Sequence, residues 1–404
     1  MTPSEITGWL AEAGLRNMPF EDIVDGFGRR MNEAGAGVQR LFVGMNTLHP
    51  MVRVRSLIWD EAERVTQHFE FAHAEIELPI LQQSPFAAML RDGLSEQHYR
   101  LDAAGVPPLP VLDELKAAGM TGWIGWVLPL GELTPSVGGP TEPGHAEGLW
   151  IALSASTDRP GGYRDEDLAL LRGVVPSFAL AAKATTMRAV HQGLLAAYLG
   201  SDPASRVLAG TVLRGEVQSL EAVLLFTDLQ GFTALADTMP GKELIALLDD
   251  YFGCMVQPVV NRDGEVLKFM GDGMLAAFAV VLGDRAEVCA SALAAAEEVL
   301  KRVEALNATR RAAGKPAAGL DISLHVGRVL YGNVGSDRRL DFTVIGPAVN
   351  EASRIEALCQ PLGRPLLISQ AFAEAATLSR HRLVSLDRHR LRGVREETEL
   401  FALA

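Results

Sequence analysis

The chain has 404 residues, 48% of them hydrophobic and 22% charged, with 50 Asp and Glu against 37 Lys and Arg. This length is long for a single core, so two domains are expected, and the acidic balance without a basic run speaks against nucleic acid or an anionic membrane as partner. The three cysteines, Cys254, Cys289 and Cys359, include no Cys-x-x-Cys pair and read as small buried hydrophobes of a reducing compartment.

Taken in order, Met1-Thr-Pro-Ser-Glu5 lacks the basic and apolar regions of a signal peptide, and residues 4–13 open a capped amphipathic helix. A second helix follows over 18–33, then strands at 39–45 and 51–59, a glycine-closed helix at 109–119, and central strands at 122–130 and 148–154. A Pro/Gly-rich loop, 134–145, separates the last two. All five tryptophans (Trp9, Trp59, Trp123, Trp126, Trp150) fall in this half and are expected in the core or on strand faces, not around a cofactor. His49, His68, His73, His98 and His145 show no ligand spacing beyond the pair His68/His73 and read as surface or satisfied histidines. Tyr163-x-x-Glu-Asp-Leu-x-x-Leu171 opens a long helix with an acidic first turn. Its most apolar part, 168–187, is interrupted by Arg172 and Lys183 and is expected not to span a bilayer, so a cytoplasmic protein is expected. An antiparallel sheet with flanking helices and a long exit helix resembles a GAF-type sensor domain over 1–190, with a PAS-like or unclassified α+β domain as the alternative. The resemblance implies an unidentified small-molecule ligand; with no cysteine in this half, covalent bilin attachment is excluded.

Residues 191–217 join the halves. The spacing before Gly200 is helical and Ser201-Asp-Pro203 is expected to break it. A transmission element and a plain packed linker are both open readings.

From 218 onward strands and helices alternate. The apolar run Ala222-Val-Leu-Leu-Phe226 reads as a buried strand, which puts Asp228 at its carboxyl end before a turn through Gly231. Residues 265–270, then Gly271-Asp-Gly273, then 274–278 read as a hairpin with Asp272 at its tip. Two carboxylates at a strand end and a hairpin tip suit a hard cation such as Mg²⁺, and the small-residue turn after Asp228 leaves N–H groups free for phosphate. Helices are expected at 243–256, 284–312 and 347–359, and strands at 322–331, 342–345, 365–369, 383–386 and 399–402.

Three stretches, Phe226-Thr-Asp-Leu-Gln-Gly-Phe-Thr233, Lys268-Phe-Met-Gly-Asp272 and Gly335-Ser-Asp-Arg-Arg-Leu-Asp-Phe-Thr-Val-Ile-Gly-Pro-Ala-Val-Asn-Glu-Ala-Ser-Arg354, are similar to the motifs of the class III adenylate and guanylate cyclase catalytic domain. The resemblance covers 218–404 and implies an α/β fold with a mixed sheet covered by helices. It implies that Asp228, Asp272 and the Leu229 carbonyl hold two Mg²⁺ or Mn²⁺ ions, and that amides of Gln230, Gly231, Phe232 and Thr233 cradle phosphates. Asn350 would position the ribose and Arg354 would stabilise the phosphorus as charge builds. Arg339 would meet phosphate, unless Arg338 does, and Arg392 stands where many relatives have a phosphate-binding lysine. Lys268 and Thr343 would read the purine edge. A Lys donor and a Thr acceptor complement adenine N1 and N6, whereas guanine would leave buried groups unpaired, so ATP is expected as substrate. The expected product is 3′,5′-cyclic AMP, made by a homodimer with sites at the interface and regulated by the N-terminal half. Guanylate or pyrimidine-nucleotide cyclase, or a catalytically silent nucleotide-binding module, are the alternatives.

Overall fold

The structure is a computed structural model that describes residues 1–47, 51–63, 66–72, 82–131, 149–280, 284–393 and 397–404. It divides into two compact units, Met1–Leu194 and Leu195–Ala404.

In the first unit, helices α1 (Pro3–Leu15) and α2 (Phe20–Glu33) lead into β1 (Arg40–Asn46), β2 (Val54–Asp60) and β3 (Thr66–Phe71). Then come α3 (Pro85–Asp92), β4 (Glu96–Arg100), α4 (Pro110–Ala117), β5 (Gly122–Pro129), β6 (Trp150–Thr157) and α5 (Asp165–Leu199), the end of which, from Leu195, belongs to the second unit. The six strands form one antiparallel sheet in the order β3-β2-β1-β6-β5-β4. The cap of α1 is Thr2, ahead of the helix start expected at residue 4: its hydroxyl accepts from the Glu5 N–H, and the Glu5 carboxylate accepts from the Thr2 N–H. β3, α3 and β4 were not expected; Gln97, His98 and Tyr99 show none of the apolar alternation that marks a strand, and pairing with β5 supplies their partners.

The tryptophans behave as expected of core residues. Trp59 and Trp123 are buried, and the indole N–H groups of Trp59 and Trp126 donate to Asp25 (3.0 Å) and Glu96 (2.9 Å). His68 lies 3.7 Å from Glu21 on the surface; His49, His73, His145 and the 134–145 loop lie outside the described residues. By length and composition α5 passes as long and apolar enough to cross a membrane, in contrast to the expectation from Arg172 and Lys183. Its apolar residues Leu168, Leu171, Val174, Val175 and Phe178 nevertheless join the core of the first unit. The helix ends at Gly200, whose φ of 96° no other residue adopts without strain. Ser201-Asp-Pro203 is therefore the start of a new helix rather than the break itself.

The second unit holds α6 (Ser201–Leu208), β7 (Val217–Leu229), α7 (Phe232–Thr238), α8 (Gly241–Val260), β8 (Glu265–Met270), β9 (Gly273–Ala279) and α9 (Arg285–Ala312). β10 (Leu320–Ser336), β11 (Arg339–Ile345), α10 (Pro347–Glu356), α11 (Cys359–Leu362), β12 (Leu366–Ser369), α12 (Gln370–Ala375), β13 (Leu383–His389) and β14 (Thr398–Leu403) follow. Its sheet is mixed: β10 pairs parallel with β12 and antiparallel with β7, in the order β13-β14-β12-β10-β7-β9-β8 with β11 on β10. The run Ala222–Leu225 is apolar throughout because both sheet faces are covered. Val223 and Leu225 join Leu247, Tyr251 and Met255 of α8 and Ala292 and Val299 of α9, whereas Ala222 and Leu224 pack with Ala348 and Ala352 of α10. All three cysteines lie on helices, and none is paired.

Helix α6 is fastened to this sheet by polar contacts. Tyr331 Oη donates to Asp202 Oδ2 at 2.7 Å, Arg206 Nε donates to the same oxygen at 2.7 Å, and Asn333 Nδ2 donates to the Thr211 carbonyl at 2.8 Å.

Candidate active site

Asp228 is the penultimate residue of β7 and Asp272 sits in the β8–β9 turn, as the sequence led one to expect. What joins them is the lack of a side chain at Gly273: a Cβ there would lie 2.4 Å from the Thr227 carbonyl oxygen and 3.1 Å from Asp228 Oδ1. The hairpin tip therefore closes onto the end of β7, and Met274 N donates to Thr227 Oγ1 at 3.1 Å to hold it there. Burial, and after it the neighbouring carboxylates of Asp272 and Asp321, push the Asp228 carboxyl up to about 6.

Two further carboxylates belong to this corner and the sequence did not single them out. Asp321 is paired in register with Asp228 across β7 and β10, and it is 1% exposed. Its Oδ1 accepts from Gln230 Nε2 at 2.7 Å and its Oδ2 from Gln360 Nε2 at 3.1 Å. Glu356, the last residue of α10, is pushed up to about 7 by burial first and then by Asp228, Asp321 and Asp272. A lone acid before an apolar strand and another on a helix carry no motif; only strand register and helix docking bring them here.

Among the described residues, no three His, Cys, Asp or Glu side chains form a group able to cage a metal ion. A cation at Asp228 and Asp272 would complete its shell with the Leu229 carbonyl, water and a substrate's own oxygens, which is how Mg²⁺ is commonly held. The residues fit that role: the crowded carboxylates are mutually unfavourable until a positive charge joins them. Gly231, with φ 72°, turns the chain into α7, so the N–H groups of its first turn, at Phe232 and Thr233, have no intrahelical partner.

The residues expected to read the base form a second group. Lys268 Nζ lies 2.6 Å from Asp341 Oδ2, and Thr343 follows two residues later on the same face of β11. Asn350 and Arg354 share a face of α10, and the Arg354 guanidinium lies beside Gly393, 3.6 Å from where a Cβ would be. This contact puts the backbone next to Arg392, an exposed residue, near Arg354. Arg339 opens β11 beside an exposed turn that Arg214 holds through Asp337 (2.8 Å). Among the described residues, no hydrogen bond or ion pair links Lys268, Thr343, Asn350, Arg354, Arg339 or Arg392 to Asp228 or Asp272. Helix geometry gives the reason for α10. Glu356, which faces the acidic corner, lies about 200° round the helix from Arg354 and about 240° from Asn350, so those two face away from it.

Residues 216–404 match the family model described as the adenylate and guanylate cyclase catalytic domain, and this part of the chain is such a domain. It is 33% identical over 154 residues to adenylate cyclase 1 of Rhizobium meliloti (strain 1021), covering 37% of this chain and 23% of that protein. Adenylate cyclase of Anabaena cylindrica is 34% identical over 161 residues, covering 39% of this chain and 31% of the relative. The chain thus spans less than a third of either relative's length. Among solved structures, the adenylyl cyclase CyaB from P. aeruginosa superposes with a TM-score of 0.42 at 25% identity, over 47% of this chain and 96% of that one.

Proposed function

We propose that the second unit is an adenylate cyclase converting ATP to 3′,5′-cyclic AMP and pyrophosphate. The observation that carries this is the closure of the Gly273 turn onto β7, which sets Asp272 beside Asp228 at the end of a phosphate-ready turn. The naming of both relatives above as adenylate cyclases supports it.

In the reaction the ribose 3′-oxygen attacks the α-phosphorus, the bond from that phosphorus to the bridging oxygen breaks, and pyrophosphate leaves as the 3′-hydroxyl gives up its proton. Two Mg²⁺ or Mn²⁺ ions held by Asp228, Asp272 and the Leu229 carbonyl would offset triphosphate charge and favour the 3′-alkoxide. Gly231, Phe232 and Thr233 offer backbone N–H groups to the phosphates, whereas the Gln230 N–H, expected among them, is taken by the Gly319 carbonyl. Arg354 lowers the barrier by meeting the negative charge that grows at phosphorus, and Asn350 orients the ribose. Arg339 and Arg392 are assigned to phosphate oxygens. Lys268 donates to adenine N1 while Thr343 accepts from N6, and Asp341 holds the ammonium in place for this contact.

Because Asn350 and Arg354 face away from the acidic corner of their own chain, they serve a nucleotide bound on a second copy. A homodimer with two equivalent interfacial sites follows. We assign residues 1–190 to a GAF-like regulatory unit with a small-molecule ligand, and the protein to the cytoplasm. The test incubates the full chain separately with ATP, GTP, UTP and CTP plus Mg²⁺ or Mn²⁺ and identifies products by mass spectrometry. Cyclic AMP from ATP, abolished by Asp272→Ala, is the expected result. Another cyclic nucleotide would overturn the base assignment, and no product from the chain or from residues 195–404 would overturn the activity.

A further inference from the structure

Asp321 is a buried carboxylate to which the reaction described above gives no role. Directly opposite a second carboxylate, it is a cost to stability that its two amide partners only offset. Those partners point to its use. One is Gln230, the first residue of the turn between Asp228 and α7, and this residue is held at three points. Its backbone N–H donates to the Gly319 carbonyl at 2.9 Å, and its Nε2 donates to Asp321 Oδ1 at 2.7 Å. Its side-chain amide also lies so close over Gly319 that a Cβ there would sit 2.1 Å from Oε1. The other partner, Gln360, occupies the second carboxylate oxygen from α11 and fixes which way Asp321 faces. Gln230 lies directly between the Leu229 carbonyl and the positive-φ turn at Gly231, so its anchorage sets the direction of that carbonyl and of the amides that follow.

We propose that Asp321 is a positioning residue that anchors the metal- and phosphate-binding turn through Gln230. The inference rests on the cyclase reading of this corner. Asp321 acts by accepting the Gln230 hydrogen bond, not by lending its charge to the site. An outer residue of this kind alters metal affinity about ten- to a hundredfold when removed.

The test is Mn²⁺ alone, titrated into the full chain without nucleotide and followed by loss of the free-ion paramagnetic resonance signal. Binding by the wild type should disappear in Asp228→Ala. Gln230→Ala and Asp321→Ala should each weaken it about tenfold, and the double variant should be no weaker than either single. Gln230→Glu combined with Asp321→Asn reverses donor and acceptor across the same contact, and should bring affinity back close to wild type. The proposal falls if Asp321→Asn weakens binding further in the Gln230→Ala background, because charge would then be the cause. It also falls if Gln230→Ala binds as wild type, or if the reversed pair gives no recovery. Should Asp321→Ala alone fail to fold, Gln230→Ala and the reversed pair still decide. Should the binding pattern hold while no nucleotide is cyclised, the anchor stands and the cyclase reading falls. Cyclic AMP formation with Mn²⁺ affinity indifferent to Gln230 would instead remove the anchor and leave the cyclase reading in place.

Discussion

Asp228 and Asp321 stand directly opposite each other across β7 and β10, so two carboxylates share one face of the sheet at its edge with the Gly273 turn. Like charges at such positions destabilise a sheet unless something positive joins them. Glu356 adds to the same crowding from α10.

This crowding predicts an unusual pH dependence of stability. Burial and like charge raise Asp228 from 3.8 to about 6 and Glu356 from 4.5 to about 7. Between those limits the metal-free folded chain holds more protons than the unfolded one, so these groups lose stability as pH rises from about 4 to about 7. His325, pushed down to about 4 by burial, contributes the opposite slope. Comparing wild type with Glu356→Gln removes that contribution. The melting temperature of wild type relative to Glu356→Gln should fall across this window, and Mn²⁺ should restore it most at the upper end. A difference that stays flat with pH would refute the assignment.

Gly273→Ala should damage the site and the fold together. The new methyl would meet backbone, the Thr227 carbonyl, which has no rotamer to escape into. We expect a loss of about 1–3 kcal/mol in denaturant unfolding and loss of Asp228-dependent Mn²⁺ binding. Wild-type binding in this variant would show that the turn does not set the carboxylate pair.

The Lys268–Asp341 pair should matter to nucleotide choice and hardly to stability. Both side chains are about half exposed, 46% and 49%, and an ion pair of that kind is worth about 0–1 kcal/mol. Asp341→Asn should raise the KM for ATP and narrow the preference over GTP while the melting temperature stays put. An unchanged ratio of kcat/KM for the two nucleotides would remove Asp341 from base recognition.

Arg354→Ala should lower kcat about a hundredfold, and so should Asp228→Ala, but mixing the two inactive proteins should recover activity. In a mixed dimer one site keeps the acidic corner of one chain and the Arg354 of the other. With random pairing about a quarter of wild-type activity returns. No recovery, despite exchange of subunits shown by mass spectrometry, would mean that each chain builds its own site.

The α6 contacts make a prediction for the catalytic fragment. Residues 195–404 retain Asp202 against Tyr331 and Thr211 against Asn333, and a fragment from 218 loses both. The longer fragment should melt higher, and Tyr331→Phe in it should cost about 1 kcal/mol. Equal melting temperatures would mean that α6 is a passive linker.

Much of this protein is written in local sequence. The apolar run Ala222–Leu225 determined a strand buried on both faces, and Gly271-Asp-Gly273 determined a hairpin turn, because apolar burial and positive φ depend on a few adjacent residues. The three motif stretches placed Asp228, Asp272, Lys268, Thr343, Asn350 and Arg354 on a strand end, a turn, two strands and one helix face for the same reason. Gly200 shows the limit of local reading: the helix stop was legible near it, but not that Ser201-Asp-Pro203 would start α6. Strand β4, Glu96-Gln-His-Tyr-Arg100, carries no apolar alternation, and its pairing with β5 is what makes it a strand.

Only the tertiary structure decided that Asp321 lies opposite Asp228, that Gln230 and Gln360 take its two oxygens, and that Lys268 turns to Asp341. It alone decided that Glu356 faces the acidic corner while Arg354 faces away. Pairings of this kind join residues far apart in the chain, 91 positions in the case of Gln230 and Asp321. Strand register and helix docking set them, and both follow from how the whole core packs rather than from any short stretch of chain.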